Sequence, residues 1–116
     1  SDKLESITPL ISDFLVMIVT GRRIITFDSQ RGRWVQQSIP VHDRIVDSHI
    51  NSHVAAVITS KRMFAWAVGS IGFKEQRLRR SESIQSVDTQ SHTVTVRTDR
   101  RLLVFKSGGG GGWREF

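Results

Sequence analysis

The sequence predicts an all-β fold made of three copies of one unit. Three observations carry this. Thr20, Thr59 and Thr98 recur at a fixed spacing of 39 residues, each followed three residues on by an arginine (Arg23, Arg62, Arg101) and then by an aromatic (Phe27, Trp66, Phe105). Residues 93–98, TVTVRT, alternate polar and apolar side chains, which is the period of a strand buried on one face. No segment combines a helical period with helix caps, so almost no helix is expected.

Within each copy the elements follow in the same order. An acid, any residue and an isoleucine come first: Glu5-Ser6-Ile7, Asp43-Arg44-Ile45 and Glu82-Ser83-Ile84. The copies therefore run roughly 1–39, 40–78 and 79–116 and fill the chain as a single domain. Each reads as four short strands. In the third copy these fall at 84–88, 93–98, 101–105 and from Trp113 onward. The central hairpin turns on Asp99-Arg100, and its counterparts turn on Gly21-Arg22 and Ser60-Lys61. Turns this tight favour residues that accept positive φ, for which Gly21 and Asp99 are suited. Residues 14–19 are apolar throughout, which predicts a strand covered on both faces. The glycine run at 108–112 takes the register of the loops at 28–33 and 67–72 and is read as a mobile loop tip.

A hairpin of this kind, followed by a Gly loop and an aromatic (Gly32-Arg33-Trp34, Gly72-Phe73, Gly112-Trp113), resembles a β-propeller blade of the quinoprotein-like or WD-like kind. The resemblance covers the whole chain three times. The Gly-His and Trp-Asp signatures of true WD repeats are absent. The resemblance implies three four-stranded blades. Propellers close with four to eight blades, so it also implies half of a six-bladed ring completed by homodimerisation. The alternative is a β-trefoil, which uses three four-stranded repeats and closes as a monomer.

Composition narrows the chemistry. The chain has no Cys, hence no disulfide, thiolate metal site or cysteine nucleophile. It lacks a basic-then-apolar leader and any apolar run long enough for a membrane span. These features point to a soluble protein without a membrane partner, with a reducing, cytoplasmic setting favoured. The formal net charge is +6, from 17 basic residues against 11 acids. Such a balance makes nucleic acid or another polyanion a possible partner.

No catalytic residue, cofactor or metal ligand set stands out, and a non-enzymatic binding or scaffold module is expected. The acids Glu5, Asp43 and Glu82 recur at the repeat period, which argues for a structural duty. His53 and His92 are in register, with Phe14 in the same place in the first copy. Two sets of residues are the candidate ligand contacts. Arg23, Arg62 and Arg101 would put one cation per repeat before an anionic ligand. Trp34, Phe73 and Trp113 would give a lectin-like protein one sugar-stacking aromatic per repeat. The cluster Arg77-Leu78-Arg79-Arg80, with Arg31 and Arg33, is basic but does not repeat.

Overall fold

The computed structural model describes residues 9–70, 72–107 and 112–116. Twelve strands form three antiparallel sheets of four, each a simple meander. The first holds β1 (Leu10–Ile11), β2 (Leu15–Val19), β3 (Arg23–Asp28) and β4 (Arg33–Ser38). The second holds β5 (Ile45–Ile50), β6 (Val54–Thr59), β7 (Arg62–Ala67) and β8 (Lys74–Arg77). The third holds β9 (Ile84–Thr89), β10 (Thr93–Thr98), β11 (Leu102–Lys106) and β12 (Trp113–Glu115). Three separate meanders packed face to face are propeller blades. A trefoil would share strands in one closed barrel, and that alternative is set aside.

The middle blade sits between the other two. Its β6 and β7, VAAVIT and RMFAWA, are apolar on both faces and buried on both, as strands covered from two sides must be. Ala55, Val57, Phe64 and Trp66 pack on Leu15, Met17, Ile24 and Val35 of the first blade. On the other face Val54, Ala56, Met63 and Ala65 pack on Val94, Val96, Leu103 and Phe105 of the third. Alanines recur where a sheet must approach closely, and the large side chains interdigitate across the seam.

Strand β2 departs from expectation. Leu15 and Met17 are fully buried, but Val16 and Ile18 on the opposite face are only half-buried. The described chain places a sheet on one side of the first blade and none on the other. The central hairpins also turn differently from what was expected. The non-glycine residue with a left-handed φ is Ser81 (64°), and the left-handed glycines are Gly32 (64°), Gly69 (95°) and Gly112 (105°). Neither Gly21 nor Asp99 adopts that conformation. A threonine replaces it: the Thr20 hydroxyl accepts hydrogen bonds from the amides of Arg22 (3.2 Å) and Arg23 (3.1 Å), and Thr59 and Thr98 do the same for the residues that follow them. This threonine-capped turn satisfies two amides that a tight turn would leave bare, and it explains the 39-residue spacing. Residues 108–111 of the glycine run lie outside the described residues.

Candidate functional site

Antiparallel register places the β2–β3, β6–β7 and β10–β11 turns at one end of the blades, together with the loops that lead from each blade to the next. The first-to-second strand hairpins and the third-to-fourth strand loops lie at the other end. Each end carries its own repeated constellation.

At the turn end the recurrent threonine, acid and arginine meet. The Thr59 hydroxyl donates to Asp43 Oδ2 at 2.7 Å, and Arg62 Nε donates to the same oxygen at 2.8 Å. Arg62 Nη1 then reaches Glu75 at 2.8 Å. The third blade repeats this: Thr98 donates to Glu82 Oε2 at 2.6 Å, and Arg101 grips Glu82 with Nε and Nη2 at 2.8 and 2.9 Å. The longer glutamate also accepts the Arg79 amide at 2.7 Å. Arg101 further donates to the carbonyl of Arg77 at 3.0 Å, which ties the third blade to the outer strand of the second.

Both carboxylates are buried, and their charge is neutralised by planar, two-pronged guanidinium contacts. The arginine bond, helped by Thr98 and the Arg79 amide, outweighs burial and lowers the Glu82 pKa to about 2. The partner carboxylates raise both arginines: for Arg101 the Glu82 bond is the largest influence, and for Arg62 burial opposes but Glu75 and Asp43 prevail. Of the candidate anion contacts, Arg62 and Arg101 thus turn their guanidinium groups inward onto the protein's own acids. Arg23 is exposed at the start of β3, and its counterpart acid Glu5 lies outside the described residues.

The candidate aromatics do not stand alike. Trp113 packs against Phe105 and donates its indole N–H to the Lys74 carbonyl of the second blade at 3.1 Å. Phe73 packs in the seam between the first two blades, tilted against Trp66. Trp34 lies over Phe27 and is 59% exposed. Two of the three are mortar between blades, and the third occupies the same register on the uncovered face.

At the opposite end the structure brings together a set that the sequence only aligned. Phe14, His53 and His92, one per hairpin tip, stack in a column with ring centroids 4.4 and 4.2 Å apart. Hydrogen bonds to backbone carbonyls lock the tips: the His53 amide donates to the Ser91 carbonyl at 3.1 Å, and the Asn51 side-chain Nδ2 donates to the Thr89 carbonyl at 3.0 Å. Among the described residues no group of three or more His, Asp or Glu side chains is placed to hold a metal ion.

Two hollows remain. A cleft of about 630 Å³ opens between the first strands of the second and third blades, lined by Val46, His49, Ile58, Ile84, Gln85 and Val87 among others. Val46 and Gln85 are equivalent bulge positions in β5 and β9, where the register with the next strand shifts. A smaller groove of about 270 Å³ lies at the turn end, lined by Ser60, Lys61, Arg77, Arg79, Arg80 and Ser81 among others. Sequence reasoning missed the cleft, because nothing in a repeat pattern signals the space between two strands of different blades.

No family model matches the chain, and no curated protein matches it. Solved structures do. A chain of the S. cerevisiae Dbp5 assembly with Nup159, Gle1, IP6 and ADP is similar, with a TM-score of 0.50 and 12% identity over 93% of this chain and 28% of that one. The N-terminal domain of Nup159 (TM-score 0.49, 14% identity) matches over 94% of this chain and 30% of that one. Kluyveromyces lactis Hsv2p (0.49, 10%) matches over 95% and 37%. The first of these carries the comparison of folds: it is a β-propeller, and the three sheets described above fit its blades. The chain spans about a third of the length of each. No helix among the described residues is long and apolar enough to cross a membrane.

Proposed function

We propose that this chain is a non-enzymatic β-propeller module, a rigid half-ring that a second copy closes to six blades and that serves as a platform for a macromolecular partner. One observation carries the closure. Val16, Ile18, Ile25, Phe27 and Trp34 form the uncovered face of the first blade, half-buried to exposed. The equivalent positions in the second blade, Ala55, Val57, Phe64, Trp66 and Phe73, are packed on the blade before them. In the third blade Val94, Val96, Leu103, Phe105 and Trp113 are packed likewise. The same surface thus mates twice inside one chain and stands open a third time. A third blade from a second copy is the natural occupant, because its own far face holds the matching register. Two chains give six blades, within the range in which propellers close, and each would cover the other's open apolar face.

The platform reading is supported by how the buried acids are used. Asp43 and Glu82 are bound by arginines that tie the turns and blades together. A carboxylate held near pKa 2 is a poor general base at neutral pH. The matched Dbp5 assembly joins Dbp5 to Nup159 and Gle1, which accords with a docking role here.

Absolute mass from light scattering tests the closure. A chain of 13.2 kDa is expected at twice that mass, and Ile25→Arg, which puts a charge in the middle of the open face, is expected to return it to one. A wild-type monomer at tens of micromolar would defeat the closure. A partner propeller or further blades of a longer chain would then be the occupant.

A further inference from the structure

The repeat separates what the fold requires from what it does not. Thr20, Thr59 and Thr98 recur because they cap turns, and Asp43–Arg62 and Glu82–Arg101 recur because they tie each blade's entry loop to its central turn. Arg77, Arg79 and Arg80 do not recur: one repeat earlier the same register holds Ser38, Pro40 and Val41. The loop between the second and third blades is built equally well in both sequences, since Leu78 donates its amide to the Lys61 carbonyl at 2.9 Å as Ile39 does to Arg22 at 2.8 Å. The side chains of Arg77 and Arg80 are therefore not there for the loop, whereas Arg79 pairs with Glu115 of the third blade.

They line one wall of the groove of about 270 Å³ whose opposite wall is Ser60 and Lys61 on the β6–β7 turn. Arg44 stands beside it, its amide bonded to the Ser60 hydroxyl. Arg100 and Arg22, on the equivalent turns of the flanking blades, extend the same line. All of these are exposed. Among the described residues the acids of this end are engaged: Asp43, Glu82, Glu75 and Glu115 are held in ion pairs by Arg62, Arg101 and Arg79, and Asp99 accepts the Ser83 amide. Arg44, Lys61, Arg77, Arg80 and Arg100 make no ion pair among the described residues. The result is a cationic track across three blades with a pocket at its centre. The opposite end is mixed, with Asp13 in the β1–β2 connection and Arg31 and Arg33 at the β3–β4 connection.

We infer that this turn-end face binds the phosphate backbone of nucleic acid. Three features favour that partner over others. The charges are mostly guanidinium groups, which match phosphate oxygens with paired donors. Ser60 and Ser81 add hydroxyl donors inside the groove, whose size suits one phosphate. The cations continue on both sides of the groove, as a polymer of evenly spaced anions needs. The groove has no aromatic lining on which bases could stack. Backbone contacts position a nucleic acid without reading it, so binding is expected to be strong at low salt, steeply salt-dependent and indifferent to sequence.

The inference rests on the platform reading above but not on the ring being closed. The test is fluorescence anisotropy with a labelled 20-base-pair duplex and with a single strand of mixed sequence, from 50 to 200 mM salt. Affinity is expected to fall by on the order of a thousandfold or more over that range if six or so phosphates are contacted. The double variant Lys61→Ala/Arg80→Ala should lower the slope of log affinity against log salt by about 2. Arg31→Ala/Arg33→Ala, at the far end, should leave it unchanged. Absence of binding to either probe at 50 mM salt overturns the inference, as does equal weakening by both double variants. Binding to vesicles of anionic lipid without binding to either oligonucleotide also overturns it, and assigns the face to a membrane surface. Mass is measured on the same samples. A dimer that ignores both probes defeats this face alone, whereas a monomer that binds them defeats ring closure alone.

Discussion

At the scale of single residues, the molecule uses one polar constellation twice, and its energetics follow from burial. Glu82 has a fully buried side chain gripped by Arg101 and Thr98. Its pKa falls from 4.5 to about 2, so folding favours the ionised form. That contribution is complete above pH ~4.5, where the unfolded chain is also ionised, and it is lost as the pH falls toward 2. The shift corresponds to roughly 3 kcal/mol at most. Unfolding by urea followed from pH 6 to pH 2 should show this loss, and Glu82→Gln should flatten that part of the profile. The same variant should be less stable at pH 7 by about 3 kcal/mol, because it leaves the buried Arg101 charge with only the half-exposed Glu115 as its ion-pair partner. A stability profile unchanged by the substitution would show that Glu82 is not the group responsible. Thr98→Val removes the hydroxyl that caps two amides and bonds the acid; a loss of about 1–3 kcal/mol in urea unfolding is expected. Glu82 with Thr98 removed should lose less on mutation to Gln than in the intact protein, since the two share one network.

At the scale of elements, the repeat carried much of the architecture. Thr20, Thr59 and Thr98, the following arginines and the aromatics at Phe27, Trp66 and Phe105 locate the central hairpins to within a residue. The alternation in 93–98 gives β10 its observed bounds. The reason is local: a turn capped by threonine and a strand buried on one face both leave their pattern in neighbouring residues. Other features are not local. The expectation that 14–19 would be covered on both faces failed at Val16 and Ile18, because coverage depends on which blade lies alongside. Positive φ was expected at Gly21 and Asp99, where a side-chain hydroxyl carries out the same task. The column of Phe14, His53 and His92 was visible as a register, but its contact required the blades to be stacked. Of the candidate ligand residues, Phe73 and Trp113 lie in seams, and only packing between blades could reveal this. The seams also predict an asymmetry. Trp113→Ala removes a partly buried ring and its bond to Lys74, and should cost on the order of 3 kcal/mol. Trp34→Ala alters an exposed ring, and at concentrations where the chain is monomeric it should cost well under half as much. Equal losses for the two at low concentration would mean that Trp34 is already covered within one chain.

At the scale of the whole molecule, the two outer faces differ in chemistry, and the difference bears on how closure would be observed. The open face of the first blade presents Val16, Ile18, Ile25, Phe27 and Trp34. The far face of the third presents Thr93, Thr95, Arg97, Leu102, Val104 and Lys106, with Arg97 and Lys106 exposed at its edges. The apolar centre formed by Leu102 and Val104 can meet Ile25 and Phe27, while the cations remain at the rim. An interface with an apolar centre and charged rim is typical of specific association. If a second copy covers it, folding and assembly are coupled, and stability depends on concentration through mass action. The midpoint of thermal unfolding should then rise as the chain goes from 1 to 100 μM, while Ile25→Arg should melt at a single lower temperature throughout. Trp34→Ala should lie only a little below the wild type at 1 μM and fall further behind it at 100 μM, because there the rest of the ring becomes buried. Leu102→Arg, on the opposite mating surface, should reproduce the effect of Ile25→Arg. A midpoint independent of concentration, with both arginine variants as stable as the wild type, would mean that neither face is used by a second copy. Failure of only one variant to respond would instead show that the two faces do not meet each other, since closure by two equal copies requires both.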